Sequence, residues 1–151
     1  MRVTIVGAGA MGCLFGGRLA AVADVTLLDR WPEHVTAMQR DGLRITELDG
    51  RETVVPVRAV TDPAAVPETD LALILVKAHA TRRASEWARE FLAADGLALT
   101  LQNGLGNAET LAELLGPERV VTGVTSHGAT RLGPGLVRHA GGGPTHIAAR
   151  P

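Results

Sequence analysis

Short apolar runs and helical stripes alternate along this chain. Residues 2–6 form an apolar run with β-branched members, ended by Gly7-Ala8-Gly9-Ala10-Met11-Gly12. Leu14, Phe15, Leu19 and Val22 recur at helical spacing, and residues 25–28 form a second apolar run closing on Asp29 and Arg30. The pattern predicts strand, glycine turn, helix and strand. Pro32, Val35, Met38 and Gly42 then mark a short helix that stops at the glycine. Residues 43–46 and 53–57 are β-like runs around Asp49-Gly50, a hairpin signal. A polar connection over 62–69 has room for one helical turn after Asp62-Pro63.

Residues 71–76 are continuously apolar, as a central parallel strand requires, and Lys77 follows them. Residues 81–94 carry an apolar helical face of Ala84, Trp87, Ala88, Phe91 and Leu92, with Gly96 as the stop. A strand is expected over 97–101, leading into Gln102-Asn103-Gly104. Asn107 is a candidate N-cap for a helix to Leu115, closed by Gly116-Pro117. Residues 119–124 read as another strand. The last third turns at Gly133-Pro134-Gly135 and Gly141-Gly142-Gly143, with β-like runs at 136–139 and 145–148 that should finish the sheet antiparallel. The expected class is α/β, a doubly wound Rossmann-type, mostly parallel sheet with an antiparallel edge.

The first stretch carries the clearest chemistry. Gly7 permits a tight turn out of the strand, Gly9 lets backbone approach a pyrophosphate, and Gly12 lets the helix pack close to the sheet. The helix N-terminus offers unpaired N–H groups to the phosphates. An acidic residue 20 positions after Gly9 completes a dinucleotide-binding pattern, with Gly7, Ala8, Gly9, Ala10, Met11 and Gly12 as the cradle. Asp29 and Arg30 pull in opposite directions. A carboxylate there accepts a ribose 2′-hydroxyl and favours NAD, whereas an arginine favours the 2′-phosphate of NADP. NADP is the expectation, because a guanidinium binds phosphate bidentately and Asp29 can turn away; Asp29 keeps NAD open.

Composition adds limits. At 151 residues the chain has the length of one domain. A net charge of −1 implies no nucleic-acid partner. No apolar run approaches the roughly 20 residues of a membrane span, and the opening strand is no signal peptide, so a cytoplasmic protein is expected. The single cysteine, Cys13, reads as a small core residue. The histidines show no metal-ligand spacing, and no metal is expected. His127 and His139 read as ordinary polar or edge-strand residues, no carboxylate being paired with them by spacing. Trp31 and Trp87 read as packing residues, although Trp31 could flank an adenine. Lys77 is the only lysine among 15 basic residues, which invites a reason for it. It stands where a cofactor phosphate or substrate carboxylate could sit, and Asn103 offers both a donor and an acceptor.

Three further segments join the glycine motif: Val76-Lys77-Ala78 with Thr81, Leu101-Gln102-Asn103-Gly104-Leu105-Gly106, and residues 125–147. Together they resemble the ketopantoate reductase (2-dehydropantoate 2-reductase) family, over essentially the whole chain but only the family's N-terminal half. The resemblance implies NADPH-dependent reduction of ketopantoate to pantoate, in pantothenate biosynthesis. It implies that Lys77 and Asn103 line the cofactor and substrate cleft, that arginine is used at Arg30, and that Ala129 contacts cofactor through its backbone. It further implies a dinucleotide-binding domain over 1–151. The general-acid lysine and a substrate-binding glutamate would sit in a helical C-terminal domain absent from this chain, so no catalytic residue is expected here. The domain-docking face would then be exposed and could pair two copies. The alternatives are a reductase of a related 2-keto acid and a stand-alone NAD(P)-sensing domain.

Overall fold

A computed structural model describes residues 1–148 of the chain. The first half runs β1 Arg2–Val6, α1 Ala10–Leu19, β2 Asp24–Leu28, α2 Pro32–Asp41, β3 Leu43–Thr46, β4 Glu52–Val55 and β5 Arg58–Val60. The second runs β6 Thr69–Ile74, α3 Thr81–Phe91, β7 Leu92–Thr100, α4 Asn107–Leu115, β8 Val120–Thr125, β9 Gly128–Gly133, β10 Leu136–Gly141 and β11 Thr145–Ile147. A seven-stranded sheet has the order β11-β8-β7-β6-β1-β2-β5. All its pairings are parallel except that of β11 with β8. The strand order reverses at β1, between β2 and β6, the topological switch point of a Rossmann sheet.

Both faces of this sheet are covered, which is why its strands read as continuous apolar runs. Alternation along β1 sends Val3 and Ile5 to one face, with Val25, Leu27, Leu73 and Leu99. It sends Val6 to the other, where Leu28, Ala72 and Ile74 meet Ala84, Ala88 and Phe91 of α3 and Leu111 of α4. Thr4 is buried among them because its hydroxyl pairs with that of Thr69 at 2.7 Å. Among the described residues, no helix is long and apolar enough to cross a membrane.

A second sheet, ordered β4-β3-β10-β9, lies over α1. The helix is thus packed between two sheets, and its small residues make room for both. Gly12 lies under the carbonyl of Gly7, Gly16 faces Leu27 of β2, and a Cβ on Gly17 would stand 2.6 Å from Ile45 of β3. The sequence expectation that the last strands finish the main sheet therefore holds for β11 alone. The run at 136–139 instead pairs parallel with β3, the inner strand of the predicted hairpin, and antiparallel with β9. The reason is burial: Val137, Leu43 and Ile45 are each fully buried in the layer that α1 closes.

Smaller differences have local causes. Helix α1 stops at Leu19, and Val22 is 81% exposed rather than on the apolar face. Helix α3 ends at Phe91 without needing Gly96, because β7 starts at once and the Arg119 guanidinium takes the carbonyls of Ala93 and Gly96. Asn107 begins α4 but is not its cap; that position is Gly106, at φ +85°. Strand β5, which pairs with β2, lies between the β-like run at 53–57 and the connection at 62–69, in residues the sequence reading assigned to neither.

Candidate functional site

A cavity of about 650 Å³ opens at the carboxyl ends of β1, β2 and β6. Gly7 and Gly9 form one wall, with Asp29, Arg30, Lys77 and Arg131 around it. Gly7 has φ +94°, and a Cβ there would stand 2.7 Å from Val76. The N–H groups of Gly7 and Ala8 both donate to the Leu28 carbonyl, at 2.9 and 3.2 Å, so the turn is tied to β2. Gly9 is different. Its φ of −70° suits any residue, and a Cβ there would meet nothing within 4 Å. The chain's own packing does not require glycine at position 9, whereas a ligand resting on the turn would. No side chain caps α1 and no acid stands in its first turn, so its N-terminal dipole faces the cavity uncompensated.

The remaining members of the motif support this wall. Ala8 is fully buried, Gly12 is buried beneath Gly7, and Ala10 and Met11 are half-buried where α1 begins. Asp29 is half-buried, and its Oδ1 accepts from the backbone N–H of Trp31 at 3.0 Å. Arg30 is exposed. Many surface arginines here are paired, such as Arg2 with Asp70, Arg44 with Glu52 and Arg82 with Glu113. Among the described residues, no ion pair involves Arg30, Lys77 or Arg131.

Lys77 lies three residues beyond the end of β6, exposed, at the start of a single helical turn. Asn103 is exposed on the loop after β7 and is not part of the cavity wall. A network connects the two segments. Gln102 Nε2 donates to the Val76 carbonyl at 2.8 Å and to Thr81 Oγ1 at 2.9 Å. Thr81 donates to Asn107 Oδ1, and Asn107 Nδ2 donates to the Asn103 carbonyl at 3.0 Å. The asparagine read as a cap is thus a buried clip holding the Asn103 loop. Ala129 sits on β9, half-buried against α1 and outside the cavity wall, with Arg131 two residues on along the same strand face. Sequence reading missed Arg131, and also His79 and Arg83, which line the cavity from the turn and helix after Lys77. Trp87 lines it too.

His34 is a second group that local pattern did not single out. It is fully buried on α2. Its Nδ1 accepts from the Gly135 N–H at 2.9 Å, so Nε2 carries the proton and donates to the Ala8 carbonyl at 2.8 Å. One ring therefore ties the glycine turn to the second sheet. Trp31 stacks on it, with ring centroids 5.5 Å apart. Burial lowers the His34 pKa from its ordinary 6.5, against the Ala8 hydrogen bond, which raises it. A base held neutral in the fold loses stability as pH drops below the unfolded value, toward the folded one. His34→Gln is expected to cost about 1–3 kcal/mol at neutral pH, the range for stranding a buried partner, and to flatten the acid side of the stability curve. Denaturant melts of both proteins from pH 7 to pH 5 check this; parallel curves would refute it.

Cys13 lies alongside, its thiol pushed up to about 12 by burial and by the Asp29 charge, and is a core residue rather than a nucleophile. His127 Nδ1 and His139 Nε2 are 3.2 Å apart, so each ring is the other's partner. The structure supplies the carboxylate that spacing did not: Glu47 lies 4.0 Å from His139, held by the Arg18 guanidinium, which keeps Glu47 below the usual carboxylate range. Neither histidine belongs to the cavity wall.

Comparison with known proteins agrees with this fold. The family model described as ketopantoate reductase PanE/ApbA matches residues 3–151. The 2-dehydropantoate 2-reductase of Halobacterium salinarum is 46% identical over 150 residues, covering 97% of this chain and 48% of the relative. The crystal structure of a PanE/ApbA family ketopantoate reductase from Ralstonia eutropha superposes with a TM-score of 0.90 at 42% identity, over 97% of this chain and 49% of that one. D-mandelate dehydrogenase, solved with NADH and anilino(oxo)acetate, superposes with a TM-score of 0.86 at 30% identity, over 93% of this chain and 46% of its own. The chain spans about half the length of the curated relatives it matches. With a family model matching nearly every residue, and with the glycine turn and the Lys77 and Asn103 segments at the carboxyl ends of one Rossmann sheet, the chain belongs to the ketopantoate reductase PanE/ApbA family.

Proposed function

We propose that residues 1–151 form the NADP-binding half of a cytoplasmic 2-dehydropantoate 2-reductase, completed by a helical domain that brings the proton donor. The open face of Gly9, in a cavity edged by Arg30, Lys77 and Arg131, none of them in an ion pair among the described residues, carries this proposal. The backbone from Gly7 to Gly12 would cradle the diphosphate, with Ala8, Ala10 and Met11 supplying main chain to it. Arg30 would take the 2′-phosphate, and Asp29, with one oxygen engaged by Trp31, would be left less free for a ribose diol. Lys77 would hold cofactor phosphate or the substrate carboxylate. Asn103 would hold the nicotinamide ribose or a substrate oxygen, and Ala129 would contact cofactor through its backbone. Bound NADPH supplies a hydride to the ketone carbon. This chain's part is to orient that donor and to hold the 2-keto acid beside it.

NADPH is expected to bind several-fold tighter than NADH, and Arg30→Ala to remove most of the difference. Losing charge-assisted hydrogen bonds of about 1.5–3 kcal/mol corresponds to a factor of about 10–100. Titrating both nucleotides into both proteins decides the matter, and equal affinities in the parent would sink NADP specificity. The second reading is an NADH-dependent reductase of another 2-keto acid. Asp29 in the cavity wall favours it, as does the likeness to a dehydrogenase solved with NADH. Tighter NADH binding, weakened by Asp29→Asn, would establish it. Family membership leaves a stand-alone nucleotide sensor the weaker alternative.

A further inference from the structure

The second sheet places one cation at the cofactor cleft that nothing in the β1–α1–β2 motif provides. Arg131 is on β9, about a hundred residues after Arg30 in sequence, yet both line the same cavity. Both also border an adjoining shallow recess with Asp29, Trp31 and Pro32. The Arg131 guanidinium is held 4.7 Å over the Trp31 ring. Trp31 is itself fixed, its ring by stacking on His34 and its backbone N–H by donating to Asp29 Oδ1. An arginine anchored over an aromatic ring has already lost much of the freedom that binding would otherwise remove. No carboxylate neutralises it among the described residues, since Asp29 is within ion-pair distance of neither arginine.

Two guanidiniums bordering one recess, neither of them in an ion pair among the described residues, suit a compact dianion. We propose that Arg131 is the second guanidinium of the adenosine 2′-phosphate site, reaching from the second sheet to face Arg30. With Arg30 it sets the preference for NADP over NAD. The proposal rests on the NADP reading above. It gives the second sheet a role in cofactor choice: β9 closes the end of the cleft that the Rossmann half leaves open.

The test uses two probes differing only in the 2′-phosphate, 2′,5′-ADP and 5′-AMP, titrated calorimetrically into the chain. The parent is expected to prefer 2′,5′-ADP. Arg131→Gln should weaken 2′,5′-ADP about 10-fold, the loss of one charge-assisted pair, and leave 5′-AMP within about twofold. It should also reduce the salt dependence of 2′,5′-ADP binding. Arg131→Lys keeps a cation over Trp31 but loses the planar fork, and should show a smaller loss with the same selectivity. That variant decides the question if the glutamine protein does not fold. Equal loss of both probes, or no loss of either, overturns the role of Arg131 while leaving NADP specificity standing. A parent without preference between the probes overturns both.

Discussion

Replacing Gly9 with valine is expected to abolish nucleotide binding in a chain that still folds with nearly its parent stability. The expectation is unusual for a glycine beside a buried helix, and it follows from the space around each glycine. Position 9 has φ −70°, and a Cβ there would meet nothing within 4 Å, so a side chain starts into open space rather than into the fold. It would instead fill the room above the turn where a diphosphate has to approach the N-terminus of α1. Losing several charge-assisted hydrogen bonds of about 1.5–3 kcal/mol each lowers affinity by more than about 100-fold. Gly7→Ala provides the contrast. At φ +94° a Cβ costs about 1–2 kcal/mol in backbone alone, and it also strikes Val76. Gly7→Ala should therefore lower the melting temperature, while Gly9→Val lowers only affinity. Calorimetry with NADPH and a thermal melt on each variant separate the two. A Gly9→Val protein that binds normally would move the nucleotide off this turn.

The sequence made the glycine turn legible because every signal there is local. Strand, turn, helix and second strand follow within 30 residues, and each uses residue types suited to its backbone. The same holds for the hairpin around Asp49-Gly50 and for the central strand before Lys77. What stayed hidden depends on pairings distant in sequence. Strand β10 joins β3 across some ninety residues, and no local pattern says that it should leave the main sheet. Strand β9 is mostly exposed and carries no alternation, so neither the strand nor Arg131 stood out. His34 looked like one polar residue on an amphipathic helix; its two partners, Ala8 and Gly135, come from elsewhere in the chain. Asn107 misled for a related reason. An asparagine at a helix start normally caps it, but here its side chain faces inward to Thr81 and the Asn103 loop. Local chemistry located the cleft, and tertiary pairing furnished its far wall.

Mixing these 151 residues with NADPH and 2-dehydropantoate is expected to give binding without measurable reduction. Hydride delivery to a ketone leaves an alkoxide that needs a proton, and the groups present are poorly placed to give one. There is no tyrosine in the sequence. The Cys13 thiol is buried and pushed up to about 12. Both nitrogens of His34 are committed, to Ala8 and Gly135. His127 and His139 are hydrogen-bonded to each other away from the cavity wall. Lys77 and His79 remain at the cavity, both exposed, where water competes for the substrate carboxylate and for the developing alkoxide. The chain spans about half of its relatives' length, and in the proposed enzyme the other half brings the acid and closes the cleft. The assay follows the absorbance of the reduced nicotinamide at saturating cofactor, with calorimetry confirming that NADPH is bound. A flat trace with bound cofactor is the expected result. Turnover dependent on both reactants would show that a proton donor lies within these residues, and its loss in Lys77→Met or His79→Ala would identify which of the two side chains had supplied it.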